Sequence, residues 1–154
     1  VVYLIMNVGA FLVVGMVANV TGDEDIENYR GLAWRGAVVP AVCLAVFLFS
    51  LTGLPPFAGF IGKFFLFSAV VRQGGAFAVL AVVAALNSVV SLYYYAKIIK
   101  TMFLDQPNPE AKSISIALYD FSLMIPLTAL TLVLGIYFAP LAQFTSQSLR
   151  FFVK

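Results

Sequence analysis

The sequence predicts an all-α integral membrane protein, a polytopic bundle of helices in which one transmembrane helix is discontinuous. Three observations lead there. Hydrophobic residues make up 62% of the 154 residues and charged residues only 10%, with a mean hydropathy of +1.01, against roughly 45–50% apolar and about 25% charged in soluble domains. The apolar residues fall into runs long enough to cross a bilayer, which takes about 20 residues as a helix. The longest run is too long for one crossing and carries two adjacent prolines, Pro55 and Pro56, in its middle.

The first run covers about residues 1–20, with Asn7 and Asn19 as its main polar side chains. The chain opens on Val1-Val2-Tyr3-Leu4 with neither an initiator Met nor a charged leading segment, so it does not read as a signal peptide. The expectation is a C-terminal piece of a longer protein that begins inside a membrane helix. Thr21 to Arg30 is a polar connection holding four of the seven acidic residues.

The second run extends from Gly36 to Val71. As one straight helix it would be about 50 Å long, against a hydrocarbon core of about 30 Å. Two adjacent prolines remove two backbone donors, clash with the preceding turn and push the residue before them out of the α region. Two half-helices are therefore expected, about Gly36–Thr52 and Ala58–Val71, joined by a non-helical link. Irregular backbone at membrane depth persists only when buried in protein or lining a wet cavity.

Lys63 is the only charged residue between Arg35 and Arg72. A lone ammonium in a hydrocarbon stretch is costly and marks a functional candidate. Snorkelling to the interface is the alternative, but Arg72 lies nine residues further on, about 13 Å along a helix, which is about twice the reach of a lysine side chain. A lysine held in low dielectric shifts toward the range where it loads and releases protons near neutral pH. Prolines alone are compatible with an ordinary kink. The set Gly53, Pro55, Pro56, Gly59 and Gly62 beside Lys63 fits the broken helices at which transporters bind ions.

The third run covers about residues 75–104. Asn87, Ser91 and Tyr94 share one helical face, with Ser88 adjacent, as either helix-packing contacts or a polar path. Tyr93-Tyr94-Tyr95 with Lys97 and Lys100 reads as an interfacial anchor. The fourth run covers about residues 116–141, kinked at Pro126, with Pro140 near its end and Asp120 as a first-turn charge. Five Lys/Arg residues flank the side of the 21–35 and 101–118 connections and three flank the other, which favours the first side as cytoplasmic.

Several classes are disfavoured. The basic residues are scattered rather than interleaved with aromatics, so nucleic acid is not an expected partner. One cysteine, Cys43, and no histidine leave no expected metal, haem or iron–sulfur site.

Leu51-Thr-Gly-Leu-Pro-Pro-Phe-Ala-Gly-Phe-Ile-Gly-Lys63-Phe resembles the C-terminal broken helix of the antiporter-like subunits of respiratory complex I. Tyr29-Arg-Gly-Leu-Ala-Trp34 and Leu92-Tyr-Tyr-Tyr-Ala-Lys-Ile-Ile-Lys100 resemble subunit N of NADH-quinone oxidoreductase in particular, and the similarity covers about residues 1–107. A lysine at 63 is unlike the subunit M pattern, and the lack of histidine disfavours subunit L.

The resemblance implies a proton-translocating membrane-arm subunit in which Lys63 is the relay residue. It also implies that a first half, with its own broken helix, lies outside these residues. Other membrane subunits and the lipid bilayer would be its partners, and flavin, iron–sulfur clusters and quinone would belong to those other subunits. A multi-pass location in a bacterial inner membrane follows. The alternatives are the large subunit of a multisubunit cation/proton antiporter, a membrane-bound hydrogenase arm, a stand-alone secondary transporter, or a structural spacer with an inert Lys63.

Overall fold

The computed structural model describes residues 1–109, 113–114, 118–139 and 143, with backbone alone for 118–120. Five α-helices lie among the described residues: α1 (Val2–Thr21), α2 (Val38–Thr52), α3 (Ala58–Arg72), α4 (Ala76–Phe103) and α5 (Leu118–Ile136). The boundaries expected at 116 and 141, the side chain of Asp120, and Lys112, Pro140, Arg150 and Lys154 lie outside the described residues and side chains.

Helices α1 and α4 are long and apolar enough to cross a membrane. At 15 residues each, α2 and α3 are about 22 Å long, so neither alone matches a hydrocarbon core of about 30 Å. They replace the single long helix with two short ones separated by Gly53–Phe57.

Helix α2 is the centre of the bundle, packed against α1, α4 and α5. It is apolar on all sides, the pattern of a helix surrounded by others, and it contributes Ala41, Cys43, Leu44, Phe47 and Leu48 to the core. Phe47 is fully buried and its ring occupies the place where a side chain on Gly9 of α1 would stand. Small residue against large ring lets the two helices approach closely. The outward faces of α3 and α4 stay apolar and exposed, with Phe64, Leu66, Leu80, Val83, Leu86 and Val90 among them.

The segment joining α1 to α2 caps the far end of α4. A helix leaves its last four carbonyls without helical partners. Here Lys100 O accepts from the amide of Leu104 at 2.8 Å, Thr101 O from Gly31 N at 2.9 Å, and Met102 O from Ala33 N at 3.2 Å. The Trp34 indole Nε1 donates to Phe103 O at 2.9 Å. A side chain at Gly31 would run into Pro107, so the Tyr29–Trp34 motif is built to lie flat on this helix end. Replacing Trp34 with Phe removes the last of these bonds and should cost about 1 kcal/mol, read as a lowered thermal midpoint of the assembled protein with its activity intact.

Tyr29 is buried in this corner and its hydroxyl has no partner among the described residues. Burial pushes its phenol above the ordinary value, and the Glu24 carboxylate pushes it the same way. It therefore stays neutral at physiological pH.

Candidate functional site at the helix break

The break begins with backbone chemistry. Gly53 has φ 84°, the left-handed conformation that glycine adopts without steric penalty. Its amide donates to Ser50 O at 3.0 Å, and Leu54 N donates to Phe49 O at 3.2 Å, the two bonds of a Schellman ending. Pro55 and Pro56 then exclude helix continuation. Phe57 is extended, stacks on Phe49 with ring centroids 6.0 Å apart, and hands the chain to α3.

The Schellman bonds satisfy carbonyls further back in α2, and the Thr52 carbonyl is met by Lys63. Its Nζ donates to Thr52 O at 2.9 Å and to Ser88 Oγ on α4 at 3.2 Å. Ser88 Oγ–H donates to Ala84 O at 3.0 Å, so its oxygen is oriented as an acceptor for the lysine. The ammonium sits at the C-terminal end of α2, where the helix dipole presents a partial negative charge. No described carboxylate lies within ion-pair distance of Lys63. The lysine stem crosses the bare Cα of Gly53, and a side chain there would press on Lys63 Cδ.

Lys63 is half-buried in this chain. It lines an open cleft of about 570 Å³ between α3 and α4, together with Phe60, Phe67, Ser68, Arg72 and Ala85. The cleft runs from the break to the Arg72 end of α3. It is mostly apolar, with the Lys63 ammonium and the Ser88 hydroxyl at its inner end.

The residues singled out in the sequence separate into those that build this arrangement and those that do not. Gly53, Pro55 and Pro56 form the link. Gly59 lies in the first turn of α3 rather than in the link; its amide donates to Ser50 Oγ at 3.1 Å, and Ser50 Oγ in turn meets the Met6 sulfur of α1. Gly62 lies within the continuous helix α3 and a side chain on it would meet nothing within 4 Å.

On α4, the residue that reaches the lysine is Ser88. Asn87 and Tyr94 are exposed, and Ser91 bonds back to Asn87 O at 3.0 Å. The reason is helical phase: each residue turns by about 100°, so the neighbour of Ser88 points elsewhere. Ser50 and Thr52 are not among the residues singled out in the sequence, and Ser88 stands there only as the neighbour of the Asn87, Ser91 and Tyr94 face. Ala81, buried on the same side of α4 two turns earlier, is the signal for Ser88, since small residues mark close helix approach.

Lys100 and Asp105 pair at 3.7 Å on the surface. Among the described residues no three of His, Cys, Asp and Glu gather in a way that could hold a metal ion.

The chain is similar to NADH-quinone oxidoreductase subunit N of an Anaeromyxobacter species, 48% identical over 98% of this chain and 30% of that protein. It is likewise similar to NADH-quinone oxidoreductase subunit N 2 of Sorangium cellulosum, 48% identical over 96% of this chain and 29% of that protein. NAD(P)H-quinone oxidoreductase subunit 2 of Gloeobacter violaceus is 38% identical over 96% of this chain and 29% of its own length. The chain thus spans about three-tenths of the length of these relatives. The transmembrane family of NADH:quinone oxidoreductases and Mrp antiporters matches residues 1–88, more than half of the sequence and the whole of the broken helix. This all-helical membrane chain belongs to the NADH:quinone oxidoreductase/Mrp antiporter transmembrane family.

Proposed function

We propose that this chain is the C-terminal part of a proton-translocating membrane subunit of an NADH:quinone oxidoreductase, and that Lys63 is its proton relay. The observation that carries the reading is the Lys63 ammonium held between the Thr52 carbonyl and the Ser88 hydroxyl at the break. Subunit N relatives at 48% identity across nearly the whole chain support the choice of complex.

The chemistry follows from the donors and acceptors. A protonated lysine carries three N–H donors, of which Thr52 and Ser88 take two. The third is free for water in the cleft. The ammonium faces the partial negative charge at the end of α2 and has no described carboxylate within ion-pair distance. A charge arriving nearby would act directly on the proton that Lys63 holds, with no fixed carboxylate to offset it. The cleft toward Ser68 and Arg72 is the route for exchange with one side of the membrane. Quinone reduction in other subunits would supply the change in charge, and flavin, iron–sulfur clusters and quinone reside in those subunits. The other membrane subunits cover the apolar faces of α3 and α4, and the bacterial relatives support a bacterial inner membrane.

The family also takes in Mrp antiporters, which gives a second reading as the large subunit of a cation/proton antiporter. Purification of the full-length protein from its native membrane separates the two. The expected result is a complex that oxidises NADH and acidifies or alkalinises sealed vesicles as it does so. A complex without flavin and iron–sulfur clusters, with sodium-dependent proton exchange, would sink the first reading in favour of the second.

A further inference from the structure

Helix α5 bears directly on the break. Its face toward the bundle carries Met124, Thr128, Thr131 and Gly135, all buried and spaced four, three and four apart, which is one side of a helix. Thr128 and Thr131 spend their hydroxyls on the carbonyls one turn back, Met124 O and Leu127 O, both at 2.9 Å. They therefore pack as small apolar residues.

At Gly135 the contact changes from side chain to backbone. A methyl group there would overlap the carbonyl oxygen of Pro56 and press on the amide nitrogen of Ala58 and the carbonyl carbon of Phe57. None of those atoms belongs to a flexible side chain that could swing away. Helix α5 is seated on the backbone of the link, and only a hydrogen side chain permits it.

The link is also what sets the distance between the two ends of the lysine's hydrogen bond. Thr52 closes α2 upstream of it, and Lys63 rides on α3 downstream of it. Phe57 stacks on Phe49 of α2 and Gly135 of α5 meets Pro56, Phe57 and Ala58, so the link is held by both helices. We infer that Gly135 is a positioning residue for Lys63: by admitting the α5 backbone against Pro56 and Ala58, it fixes the register of the two half-helices and so the Lys63–Thr52 contact. The inference deepens the relay reading and rests on it for its functional consequence, but its geometric content stands apart.

The test uses the full-length subunit in the assembled membrane complex. Lys63→Cys is introduced and its alkylation by a small positively charged maleimide is followed by mass spectrometry on this chain, with buried Cys43 as the slow internal reference. Adding Gly135→Ala should change the alkylation rate at position 63 several-fold. Gly15→Ala, where a side chain meets nothing within 4 Å, should leave it unchanged. In the chain with Lys63 intact, Gly135→Ala should shift the pH profile of NADH-driven proton pumping, and it should add nothing to the defect of Lys63→Ala.

An unchanged alkylation rate in an assembled Gly135→Ala complex overturns the inference, whatever happens to pumping. A changed rate with normal pumping supports the positioning role and counts against the relay reading instead. Should Gly135→Ala fail to assemble, Gly135→Ala with Pro56→Gly gives the link freedom to retreat from the methyl group. Assembly restored with altered alkylation supports the inference. Assembly restored with normal alkylation, or no restoration, overturns it.

Discussion

Alanine in place of Lys63 is expected to lower coupled proton translocation by about a hundredfold or more, the scale seen when a positioned proton-transfer group is removed. The complex should still assemble. Deleting one member of a buried ion pair is destabilising because it leaves the partner charge uncompensated, but Lys63 has no described carboxylate partner. Ser88 keeps its bond to Ala84 O. The group left without a donor is the Thr52 carbonyl, a cost of about 1–3 kcal/mol, small for a complex of many packed helices.

Arginine at the same position separates charge from titration. It keeps a donor for Thr52 O and a positive charge at the end of α2, yet it does not release its proton in proteins. Lys63→Arg should therefore assemble well and pump poorly. Proton uptake by sealed vesicles during NADH oxidation measures both variants. Pumping at the unmodified level in Lys63→Ala would remove the relay assignment.

The architecture of the break was legible because its causes are local. A 36-residue, mostly apolar run around Pro55-Pro56 is too long for one crossing of a bilayer, and the helices end and restart at Thr52 and Ala58. Gly53 before a proline pair is a helix-ending signal, and the Schellman bonds follow from it. What holds Lys63 was not legible. One acceptor is a backbone carbonyl, which every residue has, and the other is a serine whose neighbour Asn87 is the more conspicuous polar residue. Choosing between them requires the rotational phase of α4 against α3, and that is a property of the packed bundle, not of the α4 sequence alone. The capping of α4 by Gly31, Ala33 and Trp34 joins residues about 70 positions apart, and no periodicity within either segment announces it.

The two glycines upstream of Lys63 are indistinguishable in Phe57-Ala-Gly-Phe-Ile-Gly-Lys63, yet they should respond oppositely to the same substitution. A methyl group on Gly59 would coincide with the carbonyl oxygen of Ser50, so α3 must move off the end of α2 to admit it. That movement also stretches the bond from Gly59 N to Ser50 Oγ, now 3.1 Å, and disturbs the contact of Ser50 with Met6, which ties α1 to both half-helices. Overpacking against rigid backbone costs about 1–3 kcal/mol, and the broken hydrogen bond adds about 1 kcal/mol. Gly59→Ala should therefore sharply reduce the amount of assembled complex recovered from membranes. Gly62→Ala meets no atom and replaces a glycine in a helix interior, which stabilises by up to about 1 kcal/mol. It should assemble at least as well as the unmodified chain. Comparable yields of the two variants would contradict the close approach of α3 to the end of α2, and with it the geometry that places Lys63 at the Thr52 carbonyl.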